Sequence, residues 1–183
     1  CSGIEIERFS AVRTSRGEAR GQIGIPAGAL VVGSVGRLHP DKNHQLLLRA
    51  VARLRGQGVD AFVAIVGDGT ERTALATLAE DLGISGHAIL LGERTDVERI
   101  LPAFDAFALP SKTEGTPVTL LEAMAARIPI VAAAVGGIPE IVGDAAVLVP
   151  PGDINAVDAA VRSLLADPSL REAYAAAGPM QAK

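Results

Sequence analysis

A chain of 183 residues can build one good-sized hydrophobic core and falls short of the length at which chains usually split into domains. Its 17 basic and 21 acidic residues are mixed along the sequence and leave a net charge of −4, so no basic stripe points to nucleic acid. Four Phe, one Tyr and no Trp leave no platform for stacking single-stranded bases, and nearly half the residues are small or medium aliphatics, which suits an α/β core.

Cys1 is the one cysteine, which excludes an intrachain disulfide and argues against a cysteine-built metal site. No apolar run reaches the ~18 residues of a membrane span, and no signal peptide opens the chain, so a soluble, cytoplasmic domain is expected. The start without Met and the abrupt close at AAAGPMQAK lead us to expect a fragment of a larger protein.

Residues 1–28 are polar and irregular, with Gly3, Gly17, Gly21, Gly24, Pro26 and Gly28, and are expected as a linker or edge extension carrying a short helix around Gly17 to Gly24. The domain proper is expected over 29–183. Ala29 to Gly36 is a continuous apolar run of strand length, as in a strand buried on both faces. Asn43 is the expected N-cap of a helix with apolar residues at 46, 47, 50, 51 and 54. Strand Ala61 to Val66 then leads through Gly67-Asp68-Gly69 into a helix from Thr70 to Leu82. Strand Ala88 to Leu91 is followed by a short helix over Asp96 to Leu101, and strand Asp105 to Leu109 by a helix opening at Pro117. Proline suits the first helical position because its missing N–H would be unsatisfied there anyway. Strand Ile130 to Ala133, a short helix opened by Gly136 to Glu140, strand Ala145 to Val149 and helices at Asp153 to Ala166 and Pro168 to Ala177 complete the order. This alternation predicts an α/β, Rossmann-like three-layer fold, a parallel sheet with helices on both faces. Ligands of such sheets sit outside the C-terminal strand ends, where the loops 36–43, 67–69, 92–95, 110–117 and 134–139 form one mouth.

Chemistry concentrates on that mouth. At about 100° per residue, Glu122 falls among Val118, Ala125 and Ala126 on a helix apolar nearly all round, so it is expected as a buried or cleft-lining acid. Either Glu122 accepts local backbone bonds and Glu114 is a solvated loop acid, or both acids hold hydroxyls beside an anion site. The helix opening supplies that site, because the amides of Gly115, Thr116, Val118 and Thr119 and the positive dipole end favour a phosphate. Arg37 and Lys42 are either surface charges or a clamp for a diphosphate, the arginine bidentate and the lysine a point charge. Phosphate and hydroxyls together point to a sugar nucleotide. Gly67-Asp68-Gly69 lacks the third glycine of a dinucleotide fingerprint. His39, His44 and His87 have no metal-ligand spacing and are expected at the surface or as caps, and Ser2 and Ser111 lack the surroundings of a nucleophile.

VGRLHPDKN, IVGDG, LLGERTDV, DAFALPSKTEGTPVTLLEAMA, VGGIPEIV and VLVPPGD follow one another here as they do in family-four glycosyltransferases. From SGIEIERF to the helix after Asp153, the chain resembles the C-terminal, nucleotide-sugar-binding half of a GT-B enzyme. The resemblance implies transfer of a sugar, with retention of configuration, from a UDP-, GDP- or ADP-sugar to an acceptor. In that family pattern Glu114 would contact the donor sugar's hydroxyls, Glu122 the ribose, Arg37 and Lys42 the diphosphate, and the backbone around Arg94 the base. No metal or other cofactor is implied. The acceptor site would belong to an N-terminal domain of the same protein, which supplies catalytic groups of its own. Many relatives carry an aromatic and a glycine where this chain has Thr116 and Pro117, which would alter packing against the sugar face. Two alternatives stand beside this reading: a GT-B sugar-nucleotide epimerase, and a binding module that kept the fold and lost catalysis.

Overall fold

Six strands, β1 (Leu30–Val35), β2 (Ala61–Val66), β3 (Ala88–Leu90), β4 (Ala106–Leu109), β5 (Ile130–Ala133) and β6 (Ala146–Val149), pair in parallel in the order β3-β2-β1-β4-β5-β6. This is the architecture of a computed structural model that describes residues 6–182; Cys1, Ser2, Gly3 and the opening of SGIEIERF lie outside the described residues. Alternate strand residues feed two separate cores. Val31, Val35, Phe107 and Leu109 enter one, and Val32, Val63, Ala106 and Ala108 the other. Aliphatic runs without polar alternation form strands here because both faces of the sheet are covered.

The helices are α1 (Ile6–Ser10), α2 (Arg16–Gln22), α3 (Gln45–Gly56), α4 (Arg72–Asp81), α5 (Val97–Ile100), α6 (Val118–Ala125), α7 (Ile138–Val142), α8 (Ile154–Ala166) and α9 (Pro168–Gln181). Leucines and alanines of α3, α4 and α8 cover one face, while α2, α5, α6 and α7 cover the other. Helix α9 reaches both cores, with Leu170 and Tyr174 on the first and Ala177 on the second. At Gly178 it passes so close to α6 that a β-carbon would stand 2.9 Å from the Met124 carbonyl oxygen.

Three local expectations are corrected. Asn43 does not cap α3; it sits in the left-handed region (φ 54°), closing a 3₁₀ turn at Pro40–Lys42, and His44 precedes the helix without a side-chain cap bond. The turn consumes the residues that were expected to lead straight into the helix. Pro117 lies one position earlier than expected, as the extended N-cap residue of α6 rather than its first helical residue. His44 is neither at the surface nor a side-chain cap: it is 2% exposed, and neither ring nitrogen has a partner among the described residues. His87 packs its ring on Phe62, with centroids 4.8 Å apart.

The stretch expected as a linker or edge extension is knitted into the body over its described residues. Ser15 and Glu18 form a reciprocal capping box that starts α2, and Phe9, Ala19, Ile23 and Ile25 are buried in the core. Arg20 is held at the N-terminal end of β4. Its guanidinium donates to Asp105 Oδ2 (2.6 Å), the Ala103 carbonyl (3.1 Å) and the Ala27 carbonyl (2.6 Å). Asp105 Oδ2 also accepts from the Val31 amide at 2.8 Å, and Oδ1 from Arg16 at 2.9 Å. One carboxylate thus binds β4 to β1 and both to α2. Beside it β1 carries Gly33, where a β-carbon would stand 2.1 Å from the Phe104 ring.

Two outcomes follow for stability. Asp105→Asn keeps the shape but leaves Arg20 buried without its counter-charge, and should cost about 3–5 kcal/mol in urea or thermal unfolding. His44 is pushed down from 6.5 to about 4 by burial, with Lys42 adding to the shift. The unfolded chain therefore takes up this proton first as the solution is acidified. Stability is fully present above pH 6.5 and is lost as the pH falls from 6.5 through about 4, by on the order of 3 kcal/mol. His44→Gln should flatten that part of the stability profile.

Candidate functional site

After β1 the chain continues through β2 to β3 on one side, and after β4 it continues through β5 to β6 on the other. Loops 36–43 and 110–117 therefore part at this point, leaving the crevice in which open α/β sheets bind their ligands. The loops are tied by backbone bonds. Leu38 N–H donates to Asp68 O (2.9 Å), Glu71 N–H to Leu38 O (2.8 Å), Gly67 N–H to Gly92 O (2.8 Å) and Lys112 N–H to Asp41 O (2.7 Å). Gly67 (φ 134°) has its neighbour so close that a β-carbon would lie 2.0 Å from Gly36 O, and at Gly136 (φ 53°) one would lie 1.9 Å from Glu114 O. Gly67 and Gly136 let neighbouring loops touch through their backbones, which accounts for the Gly67-Asp68-Gly69 sequence without a dinucleotide.

Within this crevice Lys42 Nζ meets Glu114 Oε1 at 2.5 Å, across 72 residues of sequence. The buried Ser111 hydroxyl donates to the same oxygen at 2.7 Å. The two side chains are 20% and 7% exposed, so the pair is largely withdrawn from water while the ammonium keeps some contact with it. Arg37 extends from the same loop into solvent, and its side chain has no ion pair among the described residues. At the opening of α6 the first intrahelical bond runs from Leu120 N–H to Pro117 O (3.1 Å). The amides of Gly115, Thr116, Val118 and Thr119 precede it and bond no acceptor among the described residues; Val118 and Thr119 are orphan donors of the helix's first turn, and Gly115 and Thr116 belong to the loop before it. A cation pair, four free amides and an acid therefore share one rim.

Glu122 stands apart from that rim, half-buried in the second turn of α6. Burial pushes its carboxyl above the usual carboxylate range; the charge of Arg8 opposes the shift, and that of Glu98 adds to it. Arg94 does not reach out of its loop. Its Nε and Nη2 fork onto the two oxygens of Asp96, both at 2.9 Å. His39 accepts the Asp41 amide through Nδ1 at 3.3 Å, capping the turn that carries Lys42. The expected residues thus fall into a Lys42–Glu114 cluster and a Glu122 cluster, with the amides of 115, 116, 118 and 119 between the two acids in sequence and Arg37 on the loop that carries Lys42. Ser111, noted in the sequence only as lacking the surroundings of a nucleophile, and Arg8, not singled out there at all, join these clusters. The Ser-x-x-Glu spacing of 111 and 114 was the available signal for the first; nothing local marks the second.

A separate cavity of about 520 Å³, lined by Arg16, Asp105, Arg127 and Arg171 among others, lies at the opposite end of the sheet and contains none of these residues. Among the described residues no three of His, Cys, Asp and Glu gather as metal ligands, and no helix is long and apolar enough to cross a membrane.

A family profile described as glycosyl transferases group 1 matches residues 15–181. A GDP-mannose-dependent alpha-(1-6)-phosphatidylinositol monomannoside mannosyltransferase of Mycolicibacterium smegmatis is 35% identical over 96% of this chain and 49% of its own length. A D-inositol 3-phosphate glycosyltransferase of Corynebacterium urealyticum is 36% identical over 98% of this chain and 45% of its own. The chain spans about half the length of these curated relatives. Among solved structures, Anabaena HepE in complex with UDP and glucose superposes with a TM-score of 0.89 at 27% identity, over 98% of this chain and 50% of that one. The C-terminal domain of a glycosyl transferase group 1 family protein from Francisella tularensis matches in fold along 96% of its own length, with a TM-score of 0.85 at 24% identity.

The raised proton affinity of Glu122 gives a prediction for the unliganded protein. A carboxyl shifted upward favours the folded state below the ordinary carboxylate pKa and loses that advantage as the pH rises through its folded value. At pH 7 the ionised side chain is therefore a cost that Glu122→Gln removes. The melting temperature of Glu122→Gln should equal or exceed that of the parent. A clear drop would mean that the carboxylate makes a structural bond.

Proposed function

Because this chain belongs to the glycosyl transferases group 1 family, we propose that it is the donor-binding half of a retaining, hexosyl-type glycosyltransferase using a nucleotide-activated sugar. The observation that carries the proposal is the Lys42–Glu114 pair at the β1/β4 crevice. It sets a cation for phosphate and an acid for hydroxyls side by side at the opening of α6.

In this reading Arg37, Lys42 and the amides of 115, 116, 118 and 119 receive the diphosphate. The bond between the sugar's anomeric carbon and the phosphate oxygen breaks, and the nucleoside diphosphate leaves with the electron pair. These same groups meet the charge that develops on it. Glu114 accepts from the sugar's hydroxyls, oriented by Ser111, while Glu122 accepts from the ribose and the 92–95 backbone meets the base. The acceptor oxygen bonds the anomeric carbon from a second domain, N-terminal to this one, and loses its proton there. A cytoplasmic location fits a nucleotide-sugar substrate. Cations and amides meet the leaving-group charge in this scheme, so no metal is required. The relatives that act on lipid-linked and inositol acceptors support a transferase over an epimerase or a silent module, since they share most of this chain.

Titration calorimetry with UDP, GDP, ADP and their sugar conjugates, with and without EDTA, tests the assignment. Arg37→Ala should weaken diphosphates by roughly 1.5–3 kcal/mol and leave free nucleosides nearly unchanged. Glu114→Gln should weaken the sugar conjugate only. It should hold or improve nucleoside diphosphate affinity, because Lys42 is no longer shared. Chelation should change nothing. Equal losses for nucleoside and diphosphate in Arg37→Ala would refute the clamp. Lys42→Ala is a less clean probe, since it strands Glu114 in a site only 7% exposed.

A further inference from the structure

Helix α1 lies against α6, and its Phe9 is buried in the core on that side of the sheet, which fixes the direction in which its neighbour Arg8 points. The Arg8 guanidinium donates through Nη2 to the Thr95 carbonyl at 3.0 Å and pairs with Glu98 Oε1 at 2.9 Å. Glu98 is 14% exposed, so one end of that pair is nearly dry. Arg8 therefore joins three elements: α1, the loop after β3, and α5. Glu122 of α6 lies within the electrostatic reach of both Arg8 and Glu98. The 92–95 loop is fastened a second time by the Arg94–Asp96 fork. An exposed ion pair alone contributes little. Here the same guanidinium also holds the Thr95 carbonyl of the 92–95 loop, which in the proposed reading meets the base.

We propose that Arg8 is a positioning residue for the nucleoside end of the donor site, setting the Thr95 segment and the Glu122 carboxylate in register for a ribose and its base. This rests on the reading of Glu122 as the ribose acceptor. Arg8 touches neither the diphosphate nor the sugar in this scheme. Its loss should therefore appear only in ligands that carry a nucleoside.

The experiment measures binding of UDP, GDP, ADP and inorganic diphosphate to the parent protein, Arg8→Ala, Arg8→Lys, Glu122→Gln and the double variant Arg8→Ala/Glu122→Gln. For whichever nucleoside diphosphate the parent binds, Arg8→Ala should weaken binding about tenfold, the effect of one charge-assisted bond. Inorganic diphosphate should change less than twofold. Arg8→Lys should recover part of the loss, because an ammonium keeps the charge but rides on a flexible stem that holds it in place less firmly than the planar guanidinium is held. In the Glu122→Gln background Arg8→Ala should cost clearly less than its tenfold in the parent, because the share carried through Glu122 is already lost. Unchanged nucleotide affinity in Arg8→Ala, an equal loss for inorganic diphosphate, or full additivity in the double variant would each overturn the proposal. If Glu122→Gln is itself silent towards nucleotides, the ribose reading and this inference fall together. If Glu122→Gln weakens them and Arg8→Ala does not, the inference about Arg8 falls alone.

Discussion

Asp105 carries an unusual share of the structure for one carboxylate. It is 2% exposed and accepts from the Val31 amide, Arg20 and Arg16, while its own amide donates to Val31 O at 2.8 Å. Burying a charge costs several kcal/mol unless bonds and counter-charges replace the lost water, and here a second cation overcompensates it. The return is specificity. A strand headed by this acid can pair beside β1 only where the amide of Val31 and the guanidinium of Arg20 converge on it. That fixes β4 next to β1 instead of beside β3, and so creates the point at which the chain turns to build the other half of the sheet. The crevice exists because β1 and β4 are neighbours whose following loops leave in opposite directions.

The electrostatics of that crevice follow from its position. A helix start presents partial positive charge, so an acid near it is favoured until an anionic ligand arrives, when the two compete. Lys42 resolves part of this conflict by pairing with Glu114, while Arg37 stays exposed and the amides of 115, 116, 118 and 119 bond no acceptor among the described residues. Glu122 receives no such relief. Half-buried, with Glu98 adding like charge and only the partly exposed Arg8 opposing it, it is held in a state that a hydroxyl ligand would improve. One acid is satisfied and one is strained within nine residues. On the proposed reading, that difference separates a group held ready for a sugar from one that gains by closing on a ribose.

The strands were legible to within a residue or two because a parallel sheet covered on both faces demands unbroken aliphatic runs, and such runs carry their own boundaries. Glu114 and Glu122 were legible for the opposite reason: acids at an apolar helix stand out. The sequence did not reveal which atoms they meet. Lys42 and Glu114 are 72 residues apart, and only the strand order makes them partners. Arg8 and Asp105 lie in stretches whose local composition shows only a polar leader and a strand start. Asn43 has the chemistry of a helix cap, but the 3₁₀ turn ahead of it takes up the slack and puts it in a left-handed conformation, where asparagine is equally at home. His44 gave no sign of burial, because a histidine following an asparagine at a helix start is ordinarily solvated.

The leading segment shows how far local composition can mislead about mechanics. Its glycines and charges describe a spacer, yet its two ends are fastened to different parts of the domain. Arg16 and Arg20 hold the N-terminal end of β4 through Asp105, and Arg8 holds the loop beyond the C-terminal end of β3 through Thr95. Between them Phe9, Ala19, Ile23 and Ile25 are buried in one core. A displacement of α1 must either break Arg8 from Thr95 or carry that loop with it, while α2, anchored on a buried ion pair, stays with the sheet. The softer of the two attachments is therefore the one beside Glu122. A strain entering this segment would be felt first around Thr95 and Glu122 and last at the strand order that made the crevice.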